Sequence, residues 1–91
     1  MPMDQADIET RLGELPGWSR DGEAIVREFK RGDFVGAGRF VDAIVAPAEA
    51  LGHHPDIEIS WETVTVRITT HSAGGLTAAD FDLAGRIDQL G

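Results

Sequence analysis

Between Ile57 and Ile68 the apolar side chains change parity: Ile57, Ile59 and Trp61 stand at odd positions, Val64, Val66 and Ile68 at even ones. Successive side chains of a strand alternate faces, so one continuous strand would scatter these residues over both sides. A hairpin with Glu62-Thr63 as its two-residue loop pairs 61 with 64, 59 with 66 and 57 with 68, and all six then share one face. Glu-Thr lacks the Asn-Gly or Asp-Gly chemistry of a type I′ turn, so the turn type stays open. An apolar sheet face needs a second layer over it, and the rest of the chain has to supply that layer.

Three helical stretches can do so. From Asp4 to Leu15, Ile8, Leu12 and Leu15 fall on one helical face, with Asp4 as N-cap and Pro16-Gly17 as stop. From Asp33, a longer stripe runs through Phe34, Ala37, Phe40, Val41, Ile44, Val45, Ala48 and Leu51 to a terminating Gly52. Gly36 and Gly38 each cost that helix about 1 kcal/mol relative to Ala. Pro47 removes its bond to residue 43, which predicts a kink without a break. After the Ala73-Gly74-Gly75 loop, Thr77 and Asp80 have the spacing of a capping box, and Leu83, Ala84, Ile87 and Leu90 form a third stripe.

A second hairpin lies between the first two helices. Asp21-Gly22 suits a type I′ turn and would set Trp18 opposite Ile25. The element order is therefore α-β-β-α-β-β-α. It predicts an α+β two-layer sandwich, a four-stranded antiparallel sheet with three helices on one face. A chain of 91 residues is too short to enclose a second core, so residues 1–91 are read as one domain.

The bulk properties exclude several functions. Sixteen acids against eight Lys plus Arg give a formal charge of -8, which repels a phosphate backbone and argues against direct nucleic-acid binding. Cysteine is absent, which removes disulfides, thiolate nucleophiles and Cys-containing zinc sites and fits a reducing compartment. The opening Met1-Pro2-Met3-Asp4-Gln5 has neither a basic nor an apolar signal region, and no apolar run reaches membrane-span length. The expectation is a cytoplasmic protein with no membrane partner.

All three histidines fall at predicted element ends: His53 and His54 after the second helix, His71 after the last strand, with Asp80 opening the third helix. Imidazole is the side chain whose ordinary titration lies nearest neutrality, so such a cluster can both give and take protons. Each residue also has an ordinary explanation. Paired histidines at a helix end commonly bond its last carbonyls, Asp80 suffices as a capping acid, Glu49 as a solvated helix residue and Trp61 as core. Three imidazoles and a carboxylate could in principle hold zinc. However, adjacent residues in an extended segment point to opposite sides, and no H-E-x-x-H or finger spacing occurs, so no metal is expected. No nucleophile elbow points to serine-type hydrolysis either.

The string Glu49-Ala50-Leu51-Gly52-His53-His54-Pro55, then Trp61, His71 and Asp80, follows the pattern acid-x3-His-His-Pro-x5-aromatic-x9-His-x8-Asp without a gap. It resembles the signature of the pterin-4a-carbinolamine dehydratase family. Pro55-Asp56-Ile57, Thr70-His71 and the Gly74 to Asp80 segment also look like family sequence. The resemblance spans residues 4 to 90, most densely from Glu49 to Asp80. It implies the same α-β-β-α-β-β-α fold and dehydration of 4a-hydroxytetrahydrobiopterin, or a related 4a-hydroxytetrahydropterin, to quinonoid dihydropterin in tetrahydrobiopterin recycling. It further implies His53, His54 and His71 as the catalytic histidines in one shared hollow, Glu49 and Asp80 orienting imidazoles, and Trp61 beside the flat pterin. No cofactor is implied. Family members usually form homodimers or homotetramers through the second helix and sheet edges. Some relatives act instead as non-catalytic dimerisation or assembly cofactors for protein partners, which is the alternative reading.

Overall fold

In the computed structural model, which describes residues 2–90, the first helix starts where its cap residue dictates. The Asp4 carboxylate accepts the Asp7 N–H at 2.9 Å, satisfying one of the donors that a helix start leaves free. Helix α1 runs Gln5–Gly13, ending two residues before the predicted Leu15. Ile8 is buried, and Leu12 and Leu15 pack against the core from its edge.

Helix α2, Phe34–Leu51, is the longest element. Asp33 caps it by accepting the Gly36 N–H at 2.6 Å. Gly36 is there for space: a Cβ would run into the Arg31 carbonyl oxygen. Gly38 meets nothing within 4 Å and has no such reason. The helix passes unbroken through Pro47, and the carbonyl that loses its partner belongs to solvent-exposed Ala43. Ala37, Phe40, Ile44 and Ala48 are buried at helical spacing, each large side chain contributing about 1.5–3 kcal/mol by leaving water. The predicted stripe is wider than the buried one: Phe34 and Val45 are mostly exposed, as is Val35 beside them.

The strands β1 (Ser19–Asp21), β2 (Ala24–Lys30), β3 (Asp56–Ser60) and β4 (Thr63–Ile68) form one antiparallel sheet in the order β1-β2-β4-β3. Both hairpin loops lie one residue from their predicted places. The first loop is Gly22-Glu23, which sets Arg20 opposite Ile25 where Trp18 was expected. Only Gly22 has positive φ (60°), the type II′ pattern and not I′. The second loop is Trp61-Glu62, which pairs Ile59 with Val64 and Ile57 with Val66. Trp61 takes φ 59°, the left-handed conformation, at a cost of order 1 kcal/mol for a residue with a Cβ. Each correction moves the pairing by two residues, and an even shift leaves the side chains that remain in the strands on their predicted faces, while Trp61 leaves the apolar face for the turn.

The helices cover that face. Ile25, Phe29, Val64, Val66 and Ile68 meet Phe40, Ile44 and helix α3, Ala78–Asp88, whose Phe81, Leu83, Ala84 and Ile87 are buried. Phe29 sits between Phe40 (ring centroids 4.7 Å apart) and the edge of Trp18 (6.0 Å). One inward position on β2 is charged: Arg27 stands opposite Val66, between Ile25 and Phe29. Its guanidinium lies 4.6 Å from the Phe29 ring and binds Asp88 of α3 at 3.0 Å. The Trp18 indole N–H donates to the same carboxylate at 2.9 Å. β3 is an edge strand with weaker cover; Ile57 is half-buried and Ile59 exposed. Among the described residues no helix is long and apolar enough to cross a membrane.

Candidate active site

The site grows from the way α2 ends. Gly52 turns left-handed (φ 62°), and the Gly52 and His53 N–H groups bond back to Glu49 O (3.2 Å) and Ala48 O (3.0 Å). Backbone donors thus satisfy the Ala48 and Glu49 carbonyls, and among the described residues neither imidazole bonds a helix carbonyl. Both rings face carboxylates instead.

His53 turns inward. Its Nε2 lies 2.5 Å from Asp80 Oδ1, with the His53 side chain 14% exposed and Asp80 fully buried. Asp80 occupies the first turn of α3, and its Oδ2 accepts both the Thr77 N–H and the Thr70 hydroxyl at 2.8 Å. The predicted capping box therefore exists, and its acid also reaches a histidine. A carboxylate can only accept, so His53 donates through Nε2–H, and in the neutral form of the ring Nδ1 is the acceptor.

His54 turns outward. Its Nε2 lies 2.5 Å from Glu49 Oε2, one helical turn back, and both side chains are about two-thirds exposed (67% and 68%). Glu49 and His54 form the polar rim of an apolar groove of about 240 Å³, walled by Val41, Ile44, Val45 and Ala48. His53 and His71 do not line that groove. His71 opens a single 3-10 turn, His71–Ala73, and is exposed, with no side-chain hydrogen bond or ion pair among the described residues. It borders His53 through Thr70, the preceding residue, whose hydroxyl comes within 3.5 Å of His53 Nε2.

The structure thus brings His53 to Asp80 and His54 to Glu49, and His71 follows Thr70, whose hydroxyl touches both His53 and Asp80. Trp61 is not brought to them within this chain. It is 80% exposed at the β3–β4 loop, and the five residues of β3 separate it from the histidines by roughly 17 Å at the usual strand rise. Among the described residues no group of three His, Cys, Asp or Glu is close enough to hold a metal ion. Sequence reasoning missed Thr70 as part of the site. Its only signal was a position beside His71, and the bond to Asp80 spans ten residues that no local spacing rule connects.

Comparison with known proteins places the chain in a family. The family profile for pterin 4 alpha carbinolamine dehydratase matches residues 1–90. A protein from Picosynechococcus sp., named as a candidate pterin-4-alpha-carbinolamine dehydratase, is 55% identical over 84 residues, 92% of this chain and 91% of its own. The crystal structure of a transcriptional coactivator/pterin dehydratase from Brucella melitensis superposes with a TM-score of 0.93 at 32% identity, covering 98% of this chain and 97% of that one. A pterin dehydratase-like RuBisCO assembly factor of the alpha-carboxysome shares the fold, with a TM-score of 0.63 at 24% identity over 80% of this chain and 84% of that one. By sequence along its whole length and by the course of its backbone, the chain belongs to the pterin 4 alpha carbinolamine dehydratase family.

Proposed function

We propose that the chain dehydrates a 4a-hydroxytetrahydropterin, such as 4a-hydroxytetrahydrobiopterin, by histidine acid/base chemistry. The C4a–O bond breaks and its electron pair leaves with the oxygen, which takes a proton from a general acid to become water. The N5 lone pair closes the C4a=N5 double bond, and a base takes the N5 proton, giving quinonoid dihydropterin. One proton is given and one taken, so histidines alone suffice. His53, His54 and His71 are assigned these transfers, with Asp80 and Glu49 orienting the first two rings and stabilising positive charge that develops on them.

The observation that carries this reading is the His53–Asp80 pair. A fully buried carboxylate 2.5 Å from a slightly exposed imidazole fixes one ring nitrogen and leaves the other to act. The test is turnover of a 4a-hydroxytetrahydropterin generated in the assay, followed by formation of quinonoid dihydropterin. Wild type is expected to accelerate dehydration, and His53→Ala and His71→Ala to lose about 100-fold or more of that rate. A chelator is expected to leave the rate unchanged, since no step of this chemistry uses a metal. Unaltered turnover in the His53→Ala/His71→Ala double variant would remove the mechanism.

A second reading is favoured by exposed Phe34, Val35 and Val45 on α2, a surface suited to self-association or to a protein partner. It makes the chain a dimerisation or assembly factor, alone or in addition to the enzyme. Stoichiometric capture of a protein partner, together with no pterin binding by titration, would put this reading first.

A further inference from the structure

We infer that Thr70 is a positioning residue for the histidine chemistry. Its hydroxyl holds the Asp80 carboxylate in the orientation that presents Oδ1 to His53. This rests on the reading of His53 as a proton-transfer residue, and deepens it.

Three groups meet the buried carboxylate from three parts of the chain. His53 follows α2 and binds Oδ1 at 2.5 Å; the Thr77 N–H, at the start of α3, and the Thr70 hydroxyl, after β4, both bind Oδ2 at 2.8 Å. The Thr77 N–H belongs to the same helix start as Asp80 and cannot relate the carboxylate to the sheet. Thr70 can, because it comes from the segment leaving β4. The Thr70 hydroxyl has one proton, which goes to Oδ2. The Thr77 hydroxyl, 2.9 Å from Thr70 Oγ1, must therefore donate to Thr70. The result is a directed chain of bonds from Thr77 through Thr70 to Asp80, met from the other side by His53 Nε2–H. His53 Nε2 has Asp80 Oδ1 at 2.5 Å and Thr70 Oγ1 only at 3.5 Å, so with the Thr70 proton committed to Oδ2 the proton on His53 is kept at Nε2 and Nδ1 is kept free. No buried side-chain nitrogen or oxygen is left without a partner among the described residues, so deleting this hydroxyl would create a defect.

Thr70→Val removes the hydroxyl while keeping the branched Cβ, and Thr70→Ser keeps the hydroxyl while losing the methyl. Thr70→Val is expected to lower kcat about 10–100-fold, as loss of an orienting partner does, with KM within about twofold, whereas Thr70→Ser keeps kcat within about threefold. A Thr70→Val enzyme with wild-type kcat would overturn the role. An equal loss in Thr70→Ser would overturn it too, since packing would then be the cause. Thermal melts identify any variant that fails to fold, and Thr70→Ala then takes the place of Thr70→Val.

A second readout separates this inference from the dehydratase reading. ¹⁵N shifts of the His53 ring are expected to report Nε2–H in wild type and a tautomer mixture in Thr70→Val. If wild type shows no dehydration yet this change occurs, the activity assignment fails and the positioning stands. If the ring shifts are the same in both proteins, the positioning fails whatever the activity.

Discussion

The molecule contains the same pair twice, one residue apart in sequence and far apart in environment. His53 and His54 each bring Nε2 to 2.5 Å from a carboxylate oxygen, but the first pair is 14% and 0% exposed and the second 67% and 68%. Distance alone therefore does not rank them. Water screens the outer pair, and two long side chains must be ordered to hold it, so pairs of that kind contribute at most about 1 kcal/mol. The inner pair is mostly shielded from water; removing His53 leaves Asp80 Oδ1 without its donor, and removing Asp80 leaves the His53 Nε2–H without its acceptor.

Three experiments can sharpen or break this contrast. The largest effect is expected from Asp80→Ala, which strands His53, the Thr70 hydroxyl and the Thr77 N–H together. Denaturant titration should show a loss of about 3 kcal/mol, with the unfolding slope unchanged. Next, His53→Ala should cost about 2 kcal/mol by leaving a buried acceptor short of a donor, and His54→Ala less than about 0.5 kcal/mol. Equal costs for these two variants would show that burial does not separate the pairs. The smallest effect is on salt dependence. Double-mutant cycles at about 1 M salt should abolish the His54–Glu49 coupling and preserve most of the His53–Asp80 coupling, because screening acts on exposed charges.

Much of the frame within which the pairs sit is legible without coordinates. The Asp4 cap, the Gly52 stop and the parity switch after Trp61 each express one local rule, and each local rule agrees with the tertiary packing. The hairpin loops were displaced because parity assigns faces without assigning the turn. Asp21-Gly22 invites a turn with two positive φ values, yet the chain uses Gly22 alone. Trp61 looked like core by alternation and instead takes a left-handed turn position, which no propensity for a large aromatic would suggest. The pairing of histidines with acids is less legible still. Glu49 is four residues before His53 and five before His54, and only the left-handed Gly52 decides that it reaches His54. Asp80 reaches His53 across the junction of helix and sheet, where sequence distance is no guide.

The inward guanidinium of β2 has a practical consequence for anyone shortening this chain. Asp88 looks like an expendable residue near the fraying end of α3, but it is where Arg27 and the Trp18 indole are both moored. A version cut before it would leave a cation on the covered side of the sheet with nothing opposite, and an indole donor pointing at a gap. Such a deletion would loosen the first hairpin from the far end of the sequence. The safe limit for trimming therefore lies beyond Asp88, whatever the helix boundary alone suggests.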